Sequence, residues 1–275
     1  MRDEIEESPS APAHPSANFG REAQALALLE GAAAQTPRSG GVRVKNEPAY
    51  ILATWPWRET SVVAELFTEH HGRVAVTIKG AKRPGGKFRG LINAFAPLLV
   101  NYSGAGEVRN LTDAKWLGGL SAIPPESLVS AFYVTELVLR MTVREDPNSA
   151  LFSAYTKVLT HLAHDKGSAL EAALRTFEVR LLTALGWGQP AGFDEVERAH
   201  ERLWAVRKGV LRTVESLMPD EAAVPFDVVR AIAHCDFEES ATIRRARPVL
   251  RAIIGYYVGD RGLQTRSTIA RWAGL

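Results

Sequence analysis

"GRVAVTIKGAKRPGGKFRG", residues 72–90, joins a strand to a loop, and its reading sets the rest of the chain in order. Val74, Val76 and Ile78 alternate with Ala75, Thr77 and Lys79, the period of two that buries one face of a strand and turns Lys79 outward. Lys82, Arg83, Lys87 and Arg89 follow with no acid among them. Gly85 and Gly86 let a phosphate come close to the backbone without side-chain obstruction. The segment "GAKRPGGK" superficially resembles a phosphate-binding P-loop, but Gly85 and Gly86 displace the lysine, and Phe88 stands where magnesium would need Ser or Thr. Nucleotide hydrolysis is therefore set aside. What remains is a basic loop in which Lys79, Lys82, Arg83, Lys87 and Arg89 reach a nucleic-acid backbone, with Arg73 joining them from the start of the strand. A merely solvated loop is the alternative.

On either side lie more short apolar runs: "AYILAT" (49–54), "SVVAELF" (61–67), "FAPLLVNY" (95–102) and "EVRNLTDAKW" (107–116). With the strand at 73–79 they make five strands punctuated by Pro, Gly and polar clusters, which suits a small barrel of the oligonucleotide-binding (OB) kind over residues 45–119. "TWPWRET" sets Trp55, Trp57 and Arg58 at the first turn of that barrel. The tryptophans either stack on unpaired bases or close the barrel end, and Arg58 either meets phosphate or pairs with Glu59 or Glu65.

Charge is unevenly distributed along the 275 residues, although the net value is only +2. Residues 73–106 carry 6 basic side chains and no acid, and residues 243–275 carry 7 basic against 1 acidic; the segment between them has 14 basic against 20 acidic. Two basic blocks around an acidic middle point to a polyanion, because counterion release follows local clustering. In the second block Arg247 and Arg251 lie four apart on one helical face, and Arg266 follows near the end.

Residues 1–44 are rich in Pro, Ser, Ala and Gly, the composition of a disordered arm. From Pro124 the apolar period becomes helical: Ala131, Val134, Val138 and Met141, then Leu151, Tyr155, Val158 and Leu162, then Leu170, Leu174, Phe177 and Leu181. Asn148 or Ser149 and Ser168 are the expected N-caps and Gly186 the stop. A hairpin turning at Lys208 and Gly209 interrupts the helices near 187–225, and they resume near Phe226 and Pro248. The fold class is thus α+β: an OB barrel (45–119), then a helical domain (120–275) with a small hairpin insertion that holds no zinc.

Several chemistries lack the residues they need. The lone Cys235 excludes an internal disulfide and a multi-cysteine zinc site, and the His70/His71 and His161/His164 pairs have no companion ligands at suitable spacing. No nucleophile stands beside a recognisable base. No cofactor, no metal and no enzymatic step are expected. Neither a signal peptide nor an apolar run of about 18 residues is seen, so a cytoplasmic, nucleoid-associated protein without a membrane partner is expected.

Taken together, "WRETS", "GRVAVTIKGAKR" with "FRG", "FAPLLVNYSGAGEVRNL", "LRTFEVRLLTALGWG" and "GLQTRSTI" resemble the RecO family of recombination mediators over residues 49–272. The resemblance implies an OB domain and a helical domain that bind single- and double-stranded DNA and anneal complementary strands. It also implies action with RecR in placing RecA on DNA coated by single-stranded-DNA-binding protein. Some members carry a four-cysteine zinc site after the helices; this chain cannot, and residues 186–225 depart most from the pattern. In "ALRTFEVRLL" the resemblance points to a site for the acidic, Phe-ended tail of single-stranded-DNA-binding protein. There Leu174 and Phe177 would lie on the apolar side and Arg175 would meet the carboxylate, unless Arg175 instead pairs with Glu171 or Glu178. An OB-fold RNA-binding or translation-associated factor is the alternative, since the same loop and tryptophans would serve RNA. Deleting residues 1–40, which offer few large apolar side chains to a core, should leave melting temperature and annealing nearly intact; loss of soluble expression would contradict the disordered-arm reading.

Overall fold

The structure, a computed structural model, describes residues 41–119, 121–187, 193–259 and 262–265; the expected arm up to residue 40 and Arg266 lie outside them. Five strands, β1 (Val42–Trp57), β2 (Ser61–Thr68), β3 (Gly72–Ile78), β4 (Leu98–Gly104) and β5 (Val108–Trp116), close into a barrel of order β1-β2-β3-β5-β4. Neighbours are antiparallel except β3 and β5, which run parallel. This is the OB arrangement expected from the sequence.

β1 begins earlier than its apolar run suggested, taking Val42, Arg43 and Val44 out of the expected arm, because it serves two neighbours. Val42–Ala49 pairs with β4 and Ala49–Trp57 with β2, and the strand bends between them at register shifts, one of which holds Asn46 at φ +53°. Such bulges let one strand turn a barrel corner.

All eight residues of β2 are buried. Val62, Ala64 and Leu66 face the barrel core, whereas Phe67, with Tyr50 and Leu52 of β1, belongs to the core of the helical domain. That domain comprises α1 (Pro125–Met141), α2 (Ser149–His164), α3 (Gly167–Ala184), the short α4 (Phe193–Arg198), a hairpin of β6 (Leu203–Arg207) and β7 (Val210–Val214), α5 (Phe226–His234) and α6 (Ser240–Val258). At the junction Tyr50 and Phe67 meet Phe152 and Tyr155 of α2 with ring centroids 5.2–5.7 Å apart, mostly tilted or edge-on. Such pairs contribute about 0.5–1.5 kcal/mol each beyond simple burial.

A buried carboxylate fixes the register of this docking. Glu65 of β2 is fully buried and is held from two sides: Arg73 Nη1 donates to its Oε1 at 2.9 Å, while Arg144, from the loop after α1, donates through Nε (2.9 Å) and Nη2 (2.6 Å). Arg73 also donates to the Thr142 carbonyl at 2.8 Å. Gly72 completes the contact: at φ +66° a Cβ there would lie 2.4 Å from the Asp146 carbonyl oxygen.

Local signals in the helical domain fared unequally. Asn148 caps α2 by accepting from the Leu151 amide at 2.9 Å, and Gly186 ends the α3 turn at φ +70°. Lys208 and Gly209 turn the hairpin with positive φ at both positions, the type I′ geometry. Ser168 does not cap α3, which starts at Gly167 after an extended Lys166 and has no side-chain cap. Pro248 does not begin a helix either. It lies inside α6, exposed, while Ile243, Ala246, Leu250, Ile253 and Ile254 bury the opposite face and carry the helix through the missing amide.

Replacing Glu65 with Ala would leave two guanidiniums facing an emptied buried site. The expected loss is about 3–5 kcal/mol, read from urea midpoints at constant m. A loss below about 1 kcal/mol would show that the aromatic contacts dock the two parts unaided.

Candidate nucleic-acid interface

Between β3 and β4 the chain is built as a run of turns. The amides of Arg83, Gly86, Arg89 and Leu91 each donate to the carbonyl three residues back, at 2.9–3.1 Å. Gly80 and Gly85 take φ of +69° and +72°. Gly86 has a steric reason to be glycine, since a Cβ there would sit 2.6 Å from the Gly80 carbonyl oxygen. Two apolar side chains, Ala81 and Phe88, anchor the run in the barrel core. The cations between and beside these anchors, Lys82, Arg83, Lys87 and Arg89, are exposed, as is Lys79.

Around this loop the barrel supplies further polar and aromatic groups. The Lys82 amide donates to the Thr60 carbonyl at 2.9 Å, which ties the loop to the β1–β2 hairpin tip. There Arg58, at φ +53°, lies 5.7 Å over the Trp57 ring, an arrangement that keeps a guanidinium exposed beside an aromatic face. Trp55 and Trp57 are half-exposed and belong to neither hydrophobic core, so they do not close the barrel. Lys87 Nζ reaches Asp113 of β5 at 2.7 Å. Three residues on, Trp116 is 59 % exposed, next to an exposed Lys115. These two escaped the sequence reading, although the three-residue spacing of buried Leu111 and Ala114 shows that the alternation of β5 breaks there.

Not every expected cation joins this surface. Arg73 is committed to Glu65 and the Thr142 carbonyl with only 13 % of its side chain exposed, so it docks the domains instead of meeting phosphate. Arg58 pairs with neither Glu59 nor Glu65 among the described residues; Glu65 is already taken by Arg73 and Arg144. Lys79, Lys82, Arg83 and Arg89 have no carboxylate partner among the described residues, and Lys87 shares Asp113.

The second basic block forms a row on α6. Arg244, Arg247 and Arg251 are exposed at helical spacing and have no described carboxylate partner, while Arg245 is held by Asp227 at 2.6 Å.

The expected tail site has a different geometry from the one its spacing suggested. Arg175 is 7 % exposed and donates to Glu178 Oε1 at 2.7 Å, and the Tyr133 hydroxyl donates to the same oxygen at 2.7 Å. Phe177 is 1 % exposed and packs against Tyr155 in the core; Leu174 is half-buried against that core. Arg175 and Phe177 lie on nearly opposite sides of α3 and both are inside the domain, and the helical pairing with Glu178 is the one formed.

Titratable and metal-binding groups add no second chemistry among the described residues. No group of three His, Cys, Asp or Glu is placed to hold a metal ion. His161 pairs with Asp165 at 2.7 Å. Burial raises the pKa of the Cys235 thiol, which points to the Thr176 carbonyl. No described helix is long and apolar enough to cross a membrane.

Two family descriptions match the chain: Recombination protein O N terminal over residues 43–120, and Recombination protein O C terminal over residues 125–191. The first match coincides with the barrel and its basic loop, and the second runs from α1 to just past α3. A DNA repair protein RecO of Aromatoleum aromaticum is 38 % identical over 237 residues, covering 82 % of this chain and 95 % of that protein. One from Azoarcus is 36 % identical over 234 residues, with 82 % and 96 % covered. Another, from Cupriavidus metallidurans, is 34 % identical over 267 residues, with 94 % and 87 % covered. With its barrel, its helical domain and relatives matched over nearly their whole length, the chain belongs to the RecO family.

Proposed function

We propose that the protein is a non-enzymatic DNA repair and recombination mediator that binds single- and double-stranded DNA and anneals complementary strands. The observation that carries this reading is the turn-built loop of residues 79–91, which holds Lys79, Lys82, Arg83 and Arg89 exposed and without carboxylate partners among the described residues, on the wall of an OB barrel. Its relatives' shared name, DNA repair protein RecO, supports the same role.

Annealing needs no catalytic residue. Two strands repel through their phosphates, and a surface that neutralises both raises their local concentration while base pairing discriminates. Arg58 sets a guanidinium over the Trp57 ring, and the exposed Lys115 and Trp116 add a further cation and a further aromatic, groups that accept unpaired bases of any sequence. Arg244, Arg247 and Arg251 offer a second phosphate track.

Family membership supports adding partners to this reading: RecR as co-mediator, RecA as the protein placed on DNA, and the tail of single-stranded-DNA-binding protein as a docking peptide, with the protein at work in the cytoplasm at the nucleoid. For the tail, the half-buried Leu174 is the accessible member of the expected trio, and Arg175 would have to leave Glu178 to take part.

Fluorescence-quench annealing of complementary oligonucleotides, with RNA strands in parallel, tests the reading directly. Neutralising about 6 phosphates of a single strand gives an expected slope of log affinity against log salt near −4. The combined change Lys82→Glu, Arg83→Glu, Lys87→Glu should flatten that slope and abolish annealing, whereas an unchanged slope in the folded variant would leave the loop merely solvated. Preference for RNA would favour an RNA-binding factor. Arg175→Ala, which removes one of the donors to the buried Glu178 while the Tyr133 hydroxyl remains, should lower stability by about 1–3 kcal/mol in urea titrations. Full stability with weakened binding of a fluorescent tail peptide would instead make Arg175 a docking residue.

A further inference from the structure

Residues 73–106 contain no acid, yet a carboxylate stands at the centre of the basic surface. Asp113 comes from β5, and a strand irregularity puts it there. Asn101 of β4 pairs with Asp113 and the next residue, Tyr102, pairs with Leu111, so Thr112 is an extra residue on β5. In a regular strand, Leu111 and Asp113 would face the same way, into the barrel. The bulge shifts the phase, so that Leu111 (8 % exposed) and Ala114 (5 % exposed) both enter the core and Asp113 is left outside.

The Asp113 carboxylate is held for a partner. Its Oδ1 accepts from the Ala114 amide at 3.0 Å and from Lys87 Nζ at 2.7 Å. Lys87 is equally constrained, because Phe88, the next residue, is fixed in the barrel core and the ammonium lies 5.5 Å over its ring. Both side chains keep access to water, Lys87 at 62 % exposure and Asp113 at 29 %. An arriving phosphate oxygen thus finds Lys87 already bound to an oxygen anion of the protein.

We propose that Asp113 is a built-in competitor of the nucleic-acid phosphate, a latch that parks Lys87 in the free protein and yields it to a single strand passing over the loop. The inference rests on the DNA-binding reading of this surface. It gives the interface a lowered affinity and an exchangeable contact, which suits a protein that must hand strands on after pairing them. Because the pair is exposed and salt-sensitive, the exchange is nearly balanced. The hydrogen bond from Lys87 holds the Asp113 carboxyl below the usual carboxylate range, so loss of Lys87 to phosphate should bring it back up.

The test is anisotropy of a labelled single-stranded oligonucleotide titrated with the full chain at several salt concentrations. Asp113→Asn should bind at least about threefold tighter at low salt, with a slope steeper by about 0.7, one more phosphate contact. In that background Lys87→Gln should remove the gain, and in the unsubstituted protein Lys87→Gln should have the smaller effect. A gain that survives Lys87→Gln would be a general charge effect and would overturn the latch, as would no gain in folded Asp113→Asn. If Asp113→Asn melts low, Asp113→Ser carries the same comparison. A measurement free of substitution is the carboxyl-carbon titration of Asp113, whose midpoint should rise when oligonucleotide is added; an unmoved midpoint overturns the proposal. Absence of oligonucleotide binding in the unsubstituted protein would overturn the DNA-binding reading itself, and the latch with it. Binding that depends on Lys82 and Arg83 but not on Asp113 would overturn the latch alone.

Discussion

Burying the Glu65 carboxylate between the Arg73 and Arg144 guanidiniums is the interaction on which the arrangement of this protein depends. Aromatic contacts among Tyr50, Phe67, Phe152 and Tyr155 supply apolar burial but tolerate sliding. A buried ion pair does not: a displacement that pulled both arginines away would leave the Glu65 carboxylate without water or partner. The helical domain is therefore held over one part of the barrel, the outer side of β1 and β2. The segment after α1 also reaches the start of β5, where Arg109 pairs with Glu145, whereas the hairpin tip, the cations of the loop at 79–91 and the Lys115–Trp116 end of β5 stay exposed.

That surface is ordered before any ligand arrives. Successive turns, two core anchors and a glycine that no other residue could replace without a clash hold the backbone of the loop. Only the side-chain ends of Lys79, Lys82, Arg83 and Arg89 need to be immobilised on binding, which limits the entropy lost. The bulge at Thr112 works in the same direction, since it sets Asp113 and Lys115 on the outside of a strand whose neighbours Leu111 and Ala114 are in the core.

Basic residues here do two kinds of work that charge alone does not separate. Arg73, Arg144 and Arg175 are spent on carboxylates at 2.6–2.9 Å, in positions where guanidinium geometry serves packing. Lys82, Arg83, Arg89 and the α6 row of Arg244, Arg247 and Arg251 face water, and none has a carboxylate partner among the described residues. Aromatics divide in the same way: Trp116 is exposed, whereas Tyr102 is fully buried and burial pushes its phenol up to about 12.

The sequence by itself determined what depends on neighbours along the chain. Alternation at 73–79 made β3, the 3.6-residue period made α1 to α3, Asn148 made a cap, Lys208 with Gly209 made a turn, and the acid-free run at 73–106 placed a basic loop on the barrel. Each of these is a matter of backbone preference or local charge, which a chain carries wherever it is folded. Only the tertiary structure decided which charges are free. Glu65 and Arg144 are 79 residues apart, Tyr133 and Glu178 are 45 apart, and Lys87 meets Asp113 across a barrel wall. Those pairings follow from how the barrel closes and where the helices dock, and no periodicity records them. Arg73 therefore looked like a binding residue until burial gave it Glu65, whereas for Arg175 the structure chose the local pairing with Glu178 that the sequence had left open.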